Sequence, residues 1–165
     1  MAKQTGCGRT PWHFDDHHFP LDTNDVVTAW VPAQPIPLEM GPLSFAYPLD
    51  VYKLVKAVKF EKASTGYDCG VSDVFLKNNV SVNETPFELG EVSFHHNLNF
   101  HTASSNRTNR SRVALANTYY RDGARVVNAP TMVSGDWQKF MPNVKPGDIA
   151  VSPLNPICWP IKDKS

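Results

Sequence analysis

The sequence predicts a mainly β protein, a sandwich or barrel of short strands with a few short helices added. Three observations lead there. Fourteen prolines occur in 165 residues, crowded at positions 32–48 and 142–160, and proline at that density breaks helices and favours short strands joined by shaped loops. Runs rich in β-branched and aromatic residues recur, the clearest being Val26-Val27-Thr28-Ala29-Trp30-Val31. Helical periodicity is confined to two short stretches.

The elements are expected in this order. Residues 26–31 form a strand, and residues 43–47 form a second. Asp50 caps a helix that runs to about Lys59, with Val51, Leu54, Val55 and Val58 on one face. Ser72 caps a second, shorter helix carrying Val74 and Phe75. Residues 91–101 read as one long strand, whose alternation puts His95, Asn97, Asn99 and His101 on one face and Phe94, His96, Leu98 and Phe100 on the other. After a polar turn, residues 112–120 read as its antiparallel return, grouping Arg112, Ala114, Ala116, Thr118 and Tyr120. Residues 136–165 are a proline-rich tail packed on the domain through Trp137, Phe140, Leu154, Ile157 and Trp159. The length suits one domain with a real core, spanning residues 1–165.

Composition narrows the function. Sixteen basic residues balance sixteen acidic ones, which argues against a general binder of nucleic acid or of an anionic membrane. No apolar stretch approaches membrane-spanning length. Cys7, Cys69 and Cys158 are odd in number and widely separated, so no disulfide framework is expected and a reducing, cytoplasmic location is.

All six histidines fall into two segments, His13, His17 and His18, then His95, His96 and His101. In His13-Phe14-Asp15, a strand would point residues i and i+2 the same way, so one imidazole and one carboxylate can meet at one metal. A third ligand from a distant strand would complete a facial two-histidine, one-carboxylate set. Such a set leaves open positions on an octahedral Fe(II) for an oxo acid and dioxygen. An H-x-D tripeptide alone is common in ordinary loops. Arg112, eleven residues beyond His101, adds specificity. A hairpin of that length can return the guanidinium alongside the histidine, where it can grip a dicarboxylate by a bidentate fork.

The chain resembles the phytanoyl-CoA dioxygenase family of 2-oxoglutarate oxygenases. Pro11-Trp12-His13-Phe14-Asp15-Asp16 is similar to that family's H-x-D segment, Val27-Thr28-Ala29-Trp30-Val31 to the strand after it, and Glu39-Met40-Gly41-Pro42-Leu43 to its E-N-G-P-L turn. Gly90-Glu91, His101-Thr102-Ala103-Ser104 and Asn109-Arg110-Ser111-Arg112 are similar to its distal histidine, the following turn and the co-substrate arginine. The resemblance implies a double-stranded β-helix, a jelly-roll of the cupin type. It implies Fe(II), with 2-oxoglutarate as co-substrate, and His13, Asp15 and His101 as catalytic metal ligands. Arg112 would bind the distal carboxylate, with Trp30 as a wall of the same pocket. The implied activity is that of a dioxygenase hydroxylating a small organic substrate with dioxygen, releasing succinate and carbon dioxide.

The chain departs from the family pattern in three places. Only twelve residues precede His13, so the barrel is expected to be incomplete on its N-terminal side, with open edges that invite a homo-oligomer. No P-G-S-H segment follows the E-N-G-P-L-like turn, and Met40 stands where that turn has Asn. The alternative is a catalytically inactive jelly-roll that binds a metal or another ligand. A cupin dioxygenase or isomerase that does without 2-oxoglutarate is disfavoured by Arg112. Among the other polar residues, His17 and His18 are expected in a solvated loop, His95 as a hydrogen-bonded core residue, Asn97 and Asn99 facing the cavity, Arg107 and Arg110 in the turn, with Arg110 the rival to Arg112 for the co-substrate, and Lys3, which could reach an anion, on a mobile terminus.

Overall fold

The computed structural model describes residues 2–59, 65–128 and 137–159. It divides into two compact units, one of residues 1–14 and 27–118, the other of residues 15–26 and 119–165.

The first unit holds two four-stranded sheets. Its strands are β1 (Ala2–Lys3), β2 (Thr10–His13), β3 (Val26–Pro32), β4 (Leu43–Tyr47), β5 (Ser81–Glu84), β6 (Ser93–His96), β7 (His101–Ala103) and β8 (Arg112–Tyr120), with the ends of β3 and β8 reaching the second unit. One sheet has the order β1-β8-β3-β6 and the other β2-β7-β4-β5. Side chains from both meet in one apolar cluster: Trp30 and Ala114 from the first sheet pack with Leu43 and Ala103 from the second, beside Ile36 and Met40. The architecture is therefore mainly β, with two packed sheets. Among the described residues no ladder joins the sheets into a closed barrel.

Two helices cover the back of the second sheet. They are α1 (Val51–Val55) and α2 (Thr65–Asn78). Val51, Val55, Tyr67 and Val71 pack on Phe14, Ala46 and Phe100, with Trp12, Tyr52 and Phe75 at the margin. Gly70 permits α2 to approach the segment that follows α1, since a Cβ there would lie 2.8 Å from a Val58 methyl. Asn79, at a left-handed φ of 51°, follows the last residue of α2, as helix C-termini require.

Strand β8 has the expected bounds and alternation, its inward residues buried at Arg112 and Ala114 and half-buried from Ala116 onward. Strands β3 and β4 lie where expected, while β5 was not foreseen. Four expectations are corrected. Residues 91–101 are not one strand: a turn at 97–98 separates β6 from β7, which lie in different sheets. Consequently Arg112 does not return by a hairpin beside His101, because β8 pairs in the sheet of β1 and β3. Ser72 lies inside the 14-residue α2 rather than capping a short helix. The helix after Asp50 ends at Val55, where Val58 N–H turns back onto the Val55 carbonyl, and Asp50 makes no side-chain cap.

The second unit has its own small core of Val126, Met141, Val144 and Ala150, with Leu21, Tyr120 and Trp137 against it. Backbone bonds from Val126 to Asp148 and from Ala150 to Ala124, and the Tyr120 hydroxyl donating to the Ala150 carbonyl at 2.6 Å, stitch the tail to residues 120–126. Of the apolar residues expected to anchor the tail, Trp137 lies against this core. Met141 and Val144 are buried, whereas Phe140, Leu154, Ile157 and Trp159 are exposed. Leu154, Ile157 and Trp159 fall between prolines, where no strand or helix period turns them inward.

Phe100 is 1% exposed and touches both Trp12 and Phe75. Replacing it with Ala leaves a cavity at the contact between sheet and helices. Phe100→Ala is expected to lower stability by about 3–5 kcal/mol, read as a lower urea midpoint with an unchanged slope.

Candidate metal and co-substrate site

The site is built from strand alternation. Across the second sheet, His13 pairs with His101, and His101 pairs with Phe45. These three side chains lie in one row on the face opposite the helices. Their neighbours Trp12, Ala46 and Phe100 take the helix-covered face. The chain leaves β2 after His13 and enters a short 3-10 helix at Asp15. The carboxylate thus reaches the imidazoles from a turn, not from the continuing strand that the H-x-D spacing suggests. Donor atoms of His13, Asp15 and His101 all lie within 4.8 Å of one another.

The two histidines are prepared alike. Nδ1 of His13 lies 2.8 Å from the Pro11 carbonyl, and Nδ1 of His101 lies 2.9 Å from the Asn99 carbonyl. A carbonyl only accepts, so Nδ1 carries a proton in each ring and Nε2 is the nitrogen left to face a metal. That is the tautomer a metal needs, with the ring held by an outer hydrogen bond. Two neutral imidazoles and one carboxylate suit a divalent first-row ion such as Fe(II).

The first sheet supplies the facing wall. His95 on β6 is buried, its ring centroid 4.9 Å from that of His101 and 5.4 Å from that of Phe45. Arg112 is 6% exposed. One guanidinium nitrogen donates to the Gly41 carbonyl, and the guanidinium carbon sits 5.5 Å from the Trp30 ring centroid. Gly41 can occupy this spot because it has a φ of 72° and because a Cβ would collide with the Ser104 carbonyl. Burial pushes the Arg112 pKa below its ordinary value, opposed in part by the nearby Cys7 thiol.

Most of the residues singled out by sequence come together. His13, Asp15 and His101 converge, the Arg112 guanidinium lies over the Trp30 ring, and Arg110 is exposed. His17 is exposed and His18 half-buried, both in the short helix that begins at Asp15. His96 accepts the Leu98 N–H at 3.1 Å and so shapes the turn between β6 and β7. Asn97 is buried; Asn99 presents its carbonyl to His101. Arg107 is exposed in the turn. Tyr119 and Trp159 are exposed, while Tyr120 and Trp137 pack on the second unit's core.

Lys3 corrects an expectation. It is no mobile terminal residue but part of β1, opposite Arg112, and only 7% exposed. Its Nζ donates to the carbonyls of Ala103 at 3.2 Å and Ser104 at 2.7 Å. Nothing in the polar run around it announces this, because the burial comes from pairing with a strand more than a hundred residues away. Burial, and then the Arg112 charge, push its pKa down to about 8, so it is still protonated at neutral pH. In the unfolded chain the pKa returns to the ordinary 10.5. Between these values the unfolded chain holds the proton that the folded one has lost, so Lys3 makes stability rise with pH. Denaturant titrations of the native protein and of Lys3→Met are expected to give a difference in unfolding free energy that moves in favour of the native protein from pH 8 to 10.5, by about 3 kcal/mol at most.

Known proteins place this geometry. A comparison with curated protein sequences gives no match. Among solved structures, the chain is similar to the non-heme alpha-ketoglutarate-dependent carbocyclase SnoK from nogalamycin biosynthesis, with a TM-score of 0.70, 22% identity, and coverage of 94% of this chain and 58% of that one. It is similar to the non-heme alpha-ketoglutarate-dependent epimerase SnoN from the same biosynthesis, with a TM-score of 0.68, 20% identity and the same coverages. At these identities the likeness establishes the fold, and the chain spans under three-fifths of the length of either structure. The sequence profile of the phytanoyl-CoA dioxygenase (PhyH) family matches residues 1–114, which include the two histidines, the carboxylate and the arginine. The chain belongs to the phytanoyl-CoA dioxygenase family, whose members use Fe(II) and 2-oxoglutarate.

Proposed function

We propose that this chain is an Fe(II)- and 2-oxoglutarate-dependent oxygenase that hydroxylates a small organic substrate. The products would be the hydroxylated substrate, succinate and carbon dioxide, one oxygen atom going to the substrate and one to succinate. The observation that carries the reading is the convergence of His13, Asp15 and His101 within 4.8 Å, on an interior that also holds the buried Arg112.

Bound Fe(II) with 2-oxoglutarate supplies the activation of dioxygen and the oxidative decarboxylation that drives the reaction. The chain supplies the rest. His13 and His101 hold the ion through Nε2, fixed by their bonds to the Pro11 and Asn99 carbonyls. Asp15 neutralises one of its two charges. Arg112 holds the distal carboxylate of the co-substrate, and Trp30 closes that pocket from water. Phe45 and His95 line the same interior next to His101. In such a low-dielectric enclosure a fixed cation acts strongly on an anion.

The test is anaerobic addition of Fe(II) and then 2-oxoglutarate, read by the visible charge-transfer band of the chelate. The native protein is expected to give the band. Arg112→Ala should weaken 2-oxoglutarate binding about tenfold to a hundredfold, the worth of one charge-assisted contact. Asp15→Ala should abolish the band and the iron-dependent formation of succinate. A folded native protein that gives no band would instead support a metal- or ligand-binding jelly-roll without oxygenase activity.

A further inference from the structure

Strands β1 and β8 set two cations directly opposite each other. Lys3 pairs with Arg112 in register, and residues so paired share one face with their Cβ atoms about 5 Å apart. Both are buried. Like charges in this position repel, and neither has a carboxylate partner among the described residues. Their recorded partners are neutral: the Gly41 carbonyl and the Trp30 ring for Arg112, and the Ala103 and Ser104 carbonyls for Lys3. A protonated lysine has three N–H donors and a guanidinium five, so both keep donors to spare. Two adjacent buried like charges that meet no carboxylate are costly. That cost is met when an anion occupies the site.

The location says which anion. Lys3 holds the carbonyls of Ala103, the last residue of β7, and of Ser104 just after it, two and three positions beyond His101. Its ammonium therefore stands between the strand that bears the metal ligand and the guanidinium on β8. We propose that Lys3 and Arg112 together clamp the far carboxylate of the co-substrate, and that Lys3 is the residue that favours a dicarboxylic 2-oxo acid over a monocarboxylic one. This rests on the co-substrate reading above. A monocarboxylic 2-oxo acid would chelate the metal equally well but leave both cations uncompensated. A dicarboxylic one neutralises the pair.

The experiment uses the full chain loaded with Mn(II), a redox-silent ion, and measures binding of 2-oxoglutarate and of 2-oxobutyrate by calorimetry without oxygen. Lys3→Gln keeps an N–H donor for the backbone and removes the charge. It is expected to weaken 2-oxoglutarate tenfold or more while changing 2-oxobutyrate and Mn(II) binding less than twofold. Lys3→Arg is expected to retain most of the preference. If Lys3→Gln binds 2-oxoglutarate as the native protein does while Arg112→Ala does not, the role of Lys3 is refuted and the co-substrate reading stands. Equal losses for both oxo acids and for Mn(II) would make Lys3 a brace for residues 103–104 and would also refute the proposal. A native protein that binds no 2-oxoglutarate overturns the co-substrate reading and this proposal together. A second measurement needs no variant: in protein labelled on its lysines, the Lys3 side-chain NMR signal is expected to shift with 2-oxoglutarate and not with 2-oxobutyrate. An unmoved signal contradicts the clamp even if Lys3→Gln does not fold.

Discussion

The site depends on the register of one three-residue strand. Strand β7 is held on both sides, by β2 and by β4. This pairing sends His101 into the space between the sheets and leaves Phe100 under the helices. Side chains alternate along a strand, so a slip of one residue would exchange the two. It would place an imidazole in the aromatic cluster of Trp12, Phe14 and Phe75, and a phenyl ring where the metal ligand belongs. Each outcome is unfavourable, so the packing of the helix-covered face and the chemistry of the other face select the same register. The aromatic cluster behind the sheet is thus part of what positions the ligands.

Electrostatics gives the opposite wall its character. The first sheet brings Lys3, Arg112 and His95 to the interior with Trp30 and the small residues Ala114 and Ala116. The small side chains of β8 leave room beside the guanidinium. Just beyond β2 of the other sheet, Asp15 is the acidic member of the three converging donors. The interior is therefore divided, with a place for a cation near the second sheet and a place for an anion near the first. A 2-oxo dicarboxylate, which presents a chelating end and a charged end, suits such a division.

Much of this was legible in the sequence. The partition of the histidines and the alternation of residues 112–120 are visible in the sequence, and the H-x-D tripeptide names the converging residues although Asp15 arrives from a turn and not by strand alternation. What was not legible was non-local. The run from 91 to 101 has strand composition throughout, and composition does not reveal that the chain crosses from one sheet to the other at Asn97 and Leu98. The bond from Leu98 N–H to the His96 ring that shapes this turn leaves no mark in the hydrophobic pattern. Arg112 was found for a reason only half right: it reaches the interior from the facing sheet, not along a hairpin. Lys3 was missed because its burial arises from a two-residue strand whose partner lies at the far end of the unit. In the tail, Trp137 packs as its size suggests, but Phe140, Leu154, Ile157 and Trp159 stay exposed and the smaller set of Met141, Val144 and Ala150 forms the core.

The pairing of His13 with His101 has one more consequence. An ion bound there joins two strands that are otherwise held by a few backbone bonds and that lie some ninety residues apart in the chain. A ligand that binds only the folded state adds stability as RT ln(1 + [L]/Kd), about 2.7 kcal/mol at a hundredfold excess over Kd. The metal is then a folding ligand as well as a reagent, and the lifetime of the protein against proteolysis becomes a function of iron supply.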